Sequence, residues 1–347
     1  MPPTSDQTEK VRDLVLEYGW NTTCYQLVNP GFTYWFSAQR DAVIGYTRHH
    51  SVRIVAGAPV CSLQRLPEVL DEFHKDSRTD GVCYFAAEQR VHEALAHKPG
   101  FSVESLGAQP MWEPESWVKK FAGDASLRAQ LNRARNKDVT VSRLLDPGPA
   151  LKDLRRCLDE WLSTRRLPPM HFLIEPETLG NLEDRAVYIA RRGDEPVGFV
   201  ALSPISQRKG WLSEQFIRAK KAPNGTVELM LDYAVHDAQR AGAELFTMGI
   251  VPLSELGGEP INHETPGWLR WIEDSTRKLG SPFYDFKGLE HFKNKFHPDY
   301  WEPIYAISRE DSFSPRTLLA IGAAFSGGHS GWLIGKGIAR KIWRSLH

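Results

Sequence analysis

Cysteine is scarce in this chain: Cys24, Cys61, Cys83 and Cys157 are four in 347 residues, and no two form a C-x-x-C pair. That spacing argues against a zinc site, and no metal or cofactor is expected. The N-terminal stretch MPPTSDQTEK holds no apolar core of a secretory leader, so the thiols read as reduced and cytosolic. No run reaches the ~18 apolar residues needed to cross a bilayer. The patterns G-x-S-x-G, H-E-x-x-H and G-x-x-x-x-G-K-[ST] are all missing, so the usual signals of a serine nucleophile, a zinc protease or a P-loop are not there. Charge of one sign is missing too: 43 basic residues balance 43 acidic ones, which argues against wholesale coating of nucleic acid. The balance is uneven along the chain. From Ser312 onward there are five Lys/Arg and no Asp/Glu, leaving a mildly acidic body with a basic tail.

What is present belongs to a folded protein: 41% hydrophobic, 25% charged, eleven tryptophans, and a length that favours two domains. Residues 6–18 predict an amphipathic helix through Val11, Leu14, Val15 and Tyr18. FTYWF, AVIGYT and VRIVA between Phe32 and Ala56 predict strands, and Gly57-Ala58-Pro59 a turn. LPEVLDEFH (66–74) and Gln89–His97 predict helices around a buried strand, GVCYFAA. The first domain is expected over 1–122. Residues 124–137, DASLRAQLNRARNK, predict a helix with Leu127, Leu131 and Ala134 on its apolar side. Arg128, Arg133, Arg135 and Lys137 make it basic, either as a solvated surface or as a contact for phosphates. This helix and its linker are assigned to 123–147.

A second domain is expected over 148–311. It opens with a helix, Leu151–Leu162, followed by a hairpin over 186–205 and a strand, Trp211–Ile217. Pro223-Asn224-Gly225 then leads into a helix, Thr226–Arg240, and a strand, Glu244–Met248. Helix–strand–strand–strand–helix–strand is the layout of the GCN5-related acyltransferase fold, and the first half has a similar order. The expected fold class is therefore α+β, two tandem acyltransferase-like domains joined by the basic helix. In the tail, 312–347, Ile334, Ile338, Ile342 and Leu346 recur at fourfold spacing opposite Lys336, Arg340 and Arg344, with Trp332 and Trp343 nearby. That pattern suits a helix lying in an anionic membrane interface; the alternative is a helix docked on the body.

One run stands apart, YDFKGLEHFKNKFHPDYWEPIY from Tyr284 to Tyr305. Lys287, Lys293 and Lys295 are too close together for a core strand, because buried unpaired lysines are costly. Phe286, Phe292, Phe296 and Trp301 are too apolar for a plain surface. The mixture suits a grip on a polyanion, or else a helix and strand with snorkelling lysines. A second unusual run, Ala222-Pro-Asn-Gly-Thr-Val-Glu228, precedes the 226–240 helix. A coenzyme-A-dependent acetyltransferase would have a glycine-rich loop there to hold a pyrophosphate. Here the helix N-terminus and two lysines, Lys220 and Lys221, leave an anion site of a different shape.

These runs, together with Met248–Ser254 (MGIVPLS), resemble the C-terminal catalytic domain of the aminoacyl-phosphatidylglycerol synthases, the lysyl- and alanyl-transferring enzymes also called multiple peptide resistance factors. LRAQLNRARNK resembles the segment between that family's two acyltransferase-like domains. The resemblance covers roughly residues 30–307 and is to a stand-alone form, without the family's usual transmembrane flippase. It implies an aminoacyltransferase that moves an aminoacyl group from charged tRNA to a lipid hydroxyl, phosphatidylglycerol or another glycerolipid. The implied partners are aminoacyl-tRNA, a membrane lipid, and an anionic cytoplasmic membrane face contacted by the basic tail. Aminoacylation of a soluble hydroxyl and acetyl-coenzyme-A-dependent N-acetylation are the alternatives. The donor ester is already activated, so no serine or cysteine nucleophile is required. Deprotonation of the acceptor, oxyanion stabilisation and positioning are what the site must supply.

By that resemblance, Glu214, Arg218, Lys293 and Lys295 are the candidate catalytic residues. Asn224, Gly225, Tyr284, Lys287, Arg128 and Arg135 are the candidate substrate contacts. Glu214 falls where the family has an aspartate, whereas Arg218 falls one residue late, which implies either a bulge in the strand or a different lipid or amino acid. Strand alternation would put Glu214 and Arg218 on one face as a possible ion pair. Glu228 suits the first turn of its helix on dipole grounds alone. His171 and His297 are further candidates for a base, or ordinary surface or packing residues.

Overall fold

The computed structural model describes residues 3–164, 171–174, 178–260 and 286–327. The first half runs α1 (Ser5–Tyr18), β1 (Thr33–Phe36), β2 (Val43–His49), β3 (Val52–Ala56), α2 (Leu66–Asp76), β4 (Gly81–Ala87), α3 (Gln89–Leu95) and β5 (Ser102–Trp112). Then come α4 (Pro114–Gly123), α5 (Ala125–Arg135), β6 (Val139–Leu144), α6 (Leu151–Ser163), β7 (Ala186–Arg192), β8 (Glu195–Ile205) and β9 (Gly210–Arg218). The chain continues with α7 (Thr226–Arg240), β10 (Leu245–Thr247), β11 (Val251–Pro252), α8 (Phe286–Asn294), β12 (Tyr300–Ser308) and α9 (Pro315–Phe325). The protein is α+β, with one mixed sheet ordered β1-β2-β3-β4-β12-β5-β10-β9-β8-β7-β6, and β11 pairing with β5.

Two parallel pairs break the antiparallel pattern. β3 pairs with β4 across α2, and β9 pairs with β10 across α7. Each pair needs a crossover, which the amphipathic helix between its strands supplies. The sheet does not divide at residue 148. β12, from the lysine-aromatic run, lies between β4 and β5, while the far end of β5 pairs with β10. β5 therefore seams the halves. Its sequence, SVESLGAQPMW, hides it from pattern reading because small residues replace the β-branched ones expected of a central strand.

α5 is not a free connector. Asp124 caps it, accepting from the Leu127 N–H at 2.9 Å, and Leu127, Leu131 and Ala134 are buried in the core beneath α7. The expectation of a membrane-associating tail from residue 312 requires correction over α9. Its N-cap Ser314 accepts from Thr317, and Ala320, Ile321 and Ala324 pack into the core shared with β2 and β3. With Arg316 its one charged residue, this helix buries its apolar side against the body. The proposed amphipathic helix over 332–347 lies outside the described residues.

A buried polar cluster crosses the seam. Arg208 donates to both oxygens of Glu302 at 2.9 and 2.5 Å and stands 3.6 Å from Glu88. Glu88 Oε1 accepts from the Thr22 N–H, the Thr22 hydroxyl and the Gln109 amide at 2.7, 2.6 and 3.1 Å. Glu88 is 2% exposed, and burial pushes its carboxyl from the ordinary 4.5 up to about 7. The folded chain thus holds this proton more tightly than the unfolded chain. The group's contribution to stability is fully present below pH 4.5 and is lost as pH rises through 7. The expected loss is about 3 kcal/mol, read as a falling urea midpoint. Glu88→Gln should flatten that slope.

Candidate active site

β9 carries the first candidates. Opposite it, β8 slips register: Ala201 faces Gln215 and Leu202 faces Ser213, so Glu214 is the extra, bulged residue. The bulge re-aims the side chain relative to its neighbours along β9. The two do not pair. Glu214 is held instead by Arg185, which donates from Nε at 3.0 and 3.2 Å and from Nη2 at 3.0 Å. Their side chains are 4% and 0% exposed. Arg185 also donates to Asn29 Oδ1 at 2.9 Å and to the Asn181 carbonyl, and it lies over the Tyr25 ring. Beside it, Asp184 accepts from Arg12 twice at 2.6 Å and from the Tyr25 hydroxyl at 2.7 Å. Arg12, Tyr25 and Asn29 come from the first half of the chain, so Glu214 sits where the two halves are clamped. Arg185 and Asp184 also line an open groove of about 300 Å³ with Arg143, Asp146 and Trp211.

None of these partners was visible in the sequence. Arg185 lies 29 residues from Glu214 and 156 from Asn29. A lone arginine leading the apolar strand β7 was the only local signal.

The second cluster surrounds the start of α7. Arg218 donates to the Ala222 carbonyl at 3.0 Å and to Asn224 Oδ1 at 3.2 Å, fixing the turn. Gly225 caps the helix at φ +91°, and a Cβ there would collide with the Gln130 carbonyl of α5. α5 thus occupies one approach to the helix end, in the region where a coenzyme A pyrophosphate would be sought. Lys295 completes the junction, donating to Glu228 at 2.6 Å and Gln130 at 3.3 Å over the Phe292 and Phe296 rings. Gly225→Ala combines left-handed backbone with that collision. It is expected to cost roughly 2–4 kcal/mol in urea unfolding.

Lys293 is placed differently from Lys295. It is 3% exposed, and its ammonium donates to the carbonyls of Met248, Gly249 and Ile250 at 2.7, 2.8 and 3.0 Å. All three protons are engaged, so in this arrangement none reaches a substrate phosphate. Burial pushes the group down to about 7, while the three carbonyls oppose that by favouring the ammonium. Its structural work is to tie α8 to the turn after β10.

The remaining candidates are dispersed. Arg128 is exposed and bonds the Ala122 carbonyl, and Arg135 stands 3.8 Å from Asp232. Lys287 is exposed on α8, and Tyr284 lies outside the described residues. His297 Nε2 meets Asp124, the α5 cap, at 2.8 Å, and the His171 N–H donates to the Phe325 carbonyl at the end of α9.

A family model described as "Phosphatidylglycerol lysyltransferase, C-terminal" matches residues 12–308. The chain belongs to the phosphatidylglycerol lysyltransferase C-terminal family. A phosphatidylglycerol lysyltransferase of Bacillus subtilis is 25% identical over 294 residues, covering 82% of this chain and 33% of that protein. One from Staphylococcus xylosus is 22% identical over 315 residues, covering 88% and 36%. The chain thus spans about a third of the length of these relatives. The solved structure of L-PGS from Bacillus licheniformis superposes with a TM-score of 0.78 at 23% identity, covering 92% of this chain and 96% of that one. A domain from Agrobacterium fabrum, assigned to the C-terminus of a lysylphosphatidylglycerol synthetase, gives 0.78 at 21%, covering 93% and 98%. At those identities the superpositions speak for the fold. Among the described residues no helix is long and apolar enough to cross a membrane.

Proposed function

We propose that this member of the phosphatidylglycerol lysyltransferase C-terminal family is an aminoacyltransferase that moves an aminoacyl group from charged tRNA to the hydroxyl of a membrane lipid, working at the cytoplasmic membrane surface. The observation that carries the reading is convergence. The Ala222–Glu228 turn, the Met248–Ser254 run, the basic helix α5 and the lysines of α8 come together through Gly225–Gln130, Lys295–Glu228 and Lys293–Met248. In the sequence these are separate runs; in the fold they build one junction at the start of α7. Each half is read as one acyltransferase-like unit, with β12 contributed by the second half to the first.

The transfer is an ester exchange. The lipid oxygen forms a bond to the aminoacyl carbonyl carbon and loses its proton, while the bond to the terminal ribose oxygen breaks and that oxygen gains a proton. Glu214, paired with Arg185, is the carboxylate best placed to receive the proton at the clamp between the halves, and Arg185 orients it. Exposed Arg128 and Arg133 on α5, Lys137 just after it, Lys220 and Lys221 before α7, and Lys287 on α8 supply the cationic surface that a tRNA backbone needs.

The test is incubation of the protein with labelled aminoacyl-tRNA and total lipid. Label should move into the lipid fraction, and RNase should abolish the transfer. A transfer that survives RNase, or labelled tRNA that never yields labelled lipid, overturns the reading.

A further inference from the structure

The loop that joins β6 to α6 has an apolar tip. Leu145 is 90% exposed, more than any other large apolar side chain among the described residues, and Pro149 and Leu151 close by in sequence are exposed too. One exposed leucine is ordinary on a protein surface, so exposure alone decides nothing. What sets this one apart is that the fold holds it out. Before it, Leu144 pairs with Val187 of β7 and packs against the core under α6. After it, Ala150 and Leu154 are buried in the same core. Between these anchors Asp146 Oδ1 accepts from the Gly148 N–H at 2.9 Å, and the Ala150 N–H donates to the Pro147 carbonyl at 3.0 Å. Two prolines and two closed turns leave the loop little freedom to fold Leu145 back onto the body.

The charges beside the tip are mostly positive. Residues 143–156 carry Arg143, Lys152, Arg155 and Arg156 against Asp146 and Asp153, four cations to two anions and a net of +2 on a mildly acidic body. Across the groove described above, Glu183 and Asp184 are paired with Arg12, which offsets part of their charge. The tip is also a wall of that groove. Leu144, Leu145 and Asp146 line it together with Asp184 and Arg185, and Arg185 holds Glu214. The groove reaches Trp211, near the start of β9, whereas Lys220 and Lys221 follow the end of that strand. The tip is therefore separate from the cationic surface beside the α7 junction.

We infer that the β6–α6 loop is a membrane contact: Leu145 enters the interface of an anionic bilayer, the flanking cations meet its headgroups, and the groove opens toward the lipid. An apolar side chain held out between cations suits such an interface, where a small insertion and a few charges act together. A stable protein partner would need a far broader apolar surface than one loop tip presents. Delivery of a lipid hydroxyl through the groove to Glu214 rests on the transfer proposed above; the membrane contact does not.

The experiment uses a thiol-directed, environment-sensitive fluorophore. Cys24, Cys61, Cys83 and Cys157 are all buried, so in the folded full chain Leu145→Cys offers the accessible thiol. The labelled protein is mixed with vesicles of phosphatidylglycerol and phosphatidylcholine in equal parts, and with vesicles of phosphatidylcholine alone. On the anionic vesicles the emission should rise, shift to the blue and be quenched by nitroxide-bearing lipid. The same label at Leu63→Cys, an exposed leucine of the first half, should respond little. Leu145→Asp, at a site with almost no contacts to lose, should weaken binding to the anionic vesicles about tenfold or more. The inference is overturned if the label at 145 stays silent on anionic vesicles, or if the label at 63 responds equally. It is also overturned if Leu145→Asp binds vesicles as the parent does. A label at 145 that becomes shielded without lipid as protein concentration rises would assign the tip to a second copy of the chain instead. Aminoacyl transfer is not measured, so this inference and the proposed reaction fail separately.

Discussion

Glu214→Ala is expected to lower stability by about 3–5 kcal/mol and to abolish lipid aminoacylation. The variant leaves the Arg185 guanidinium buried with Asn29, the Asn181 carbonyl and the Tyr25 ring as partners and with Asp184, already bonded to Arg12, as the neighbouring carboxylate. An uncompensated buried charge is the expensive outcome, more so than loss of the pair as a whole. The double variant Arg185→Met/Glu214→Leu removes both charges and restores apolar contact at the clamp. It should recover most of the stability of the parent. The two roles of Glu214 then separate. If the carboxylate takes the proton from the acceptor hydroxyl, the double variant is a folded, inactive protein. If Glu214 only holds the halves together, the double variant regains transfer, and the catalytic assignment falls. Urea midpoints and label transfer to lipid, measured on the same preparations, decide between them. The stability loss of the single variant should appear as a Tm drop of roughly 5–10 °C.

The contrast between Glu214 and its partners marks how far the sequence could be read. α1, α2, α7 and the β7–β8 hairpin follow from periodicity and turn residues, because each has a clean apolar stripe or alternation bounded by Gly, Pro or a cap. Leu127, Leu131 and Ala134 were legible as the buried side of α5 for the same reason. β5 was not: its Ser, Gly, Ala and Pro carry no strand signal, and its place in the seam is set by pairing with β12 nearly two hundred residues away in sequence. At the site, the resemblance to a known family picked out Glu214, Arg218 and Lys295, but roles depended on distances along the chain that no local pattern encodes. A strand alternation argument paired Glu214 with Arg218. One bulged residue was enough to break that alternation and send the two side chains to different partners. α9, at the start of the tail, docks on the body for a related reason, while the membrane pattern lies over 332–347, outside the described residues. An apolar stripe is the same whether lipid or protein covers it, and the cores beneath β2 and β3 already supply the cover.

Two lysines spaced as K-x-K are expected to behave in opposite ways, and this gives the second large effect. Lys293→Met removes the donor from three carbonyls at once. Each buried acceptor left unmet costs about 1–3 kcal/mol, offset in part because a buried ammonium is no longer desolvated. A net loss of about 3 kcal/mol or more is expected, with the turn at Met248–Ile250 loosened. Activity per folded molecule should change little, because all three protons of Lys293 serve the fold. Lys295→Met acts on a pair that is 21% and 13% exposed, where solvent screens the charges. Its stability cost should stay near 1 kcal/mol. Transfer should nevertheless fall on the order of 10²-fold, because this ammonium, positioned over Phe292 and Phe296 at the start of α7, is the one free to rotate from Glu228 toward a substrate anion. The decisive comparison is the ratio of activity loss to stability loss in the two variants. A Lys293→Met protein that keeps its urea midpoint and loses transfer would return Lys293 to the reacting centre. A Lys295→Met protein with full transfer would remove the α7 junction from substrate binding altogether.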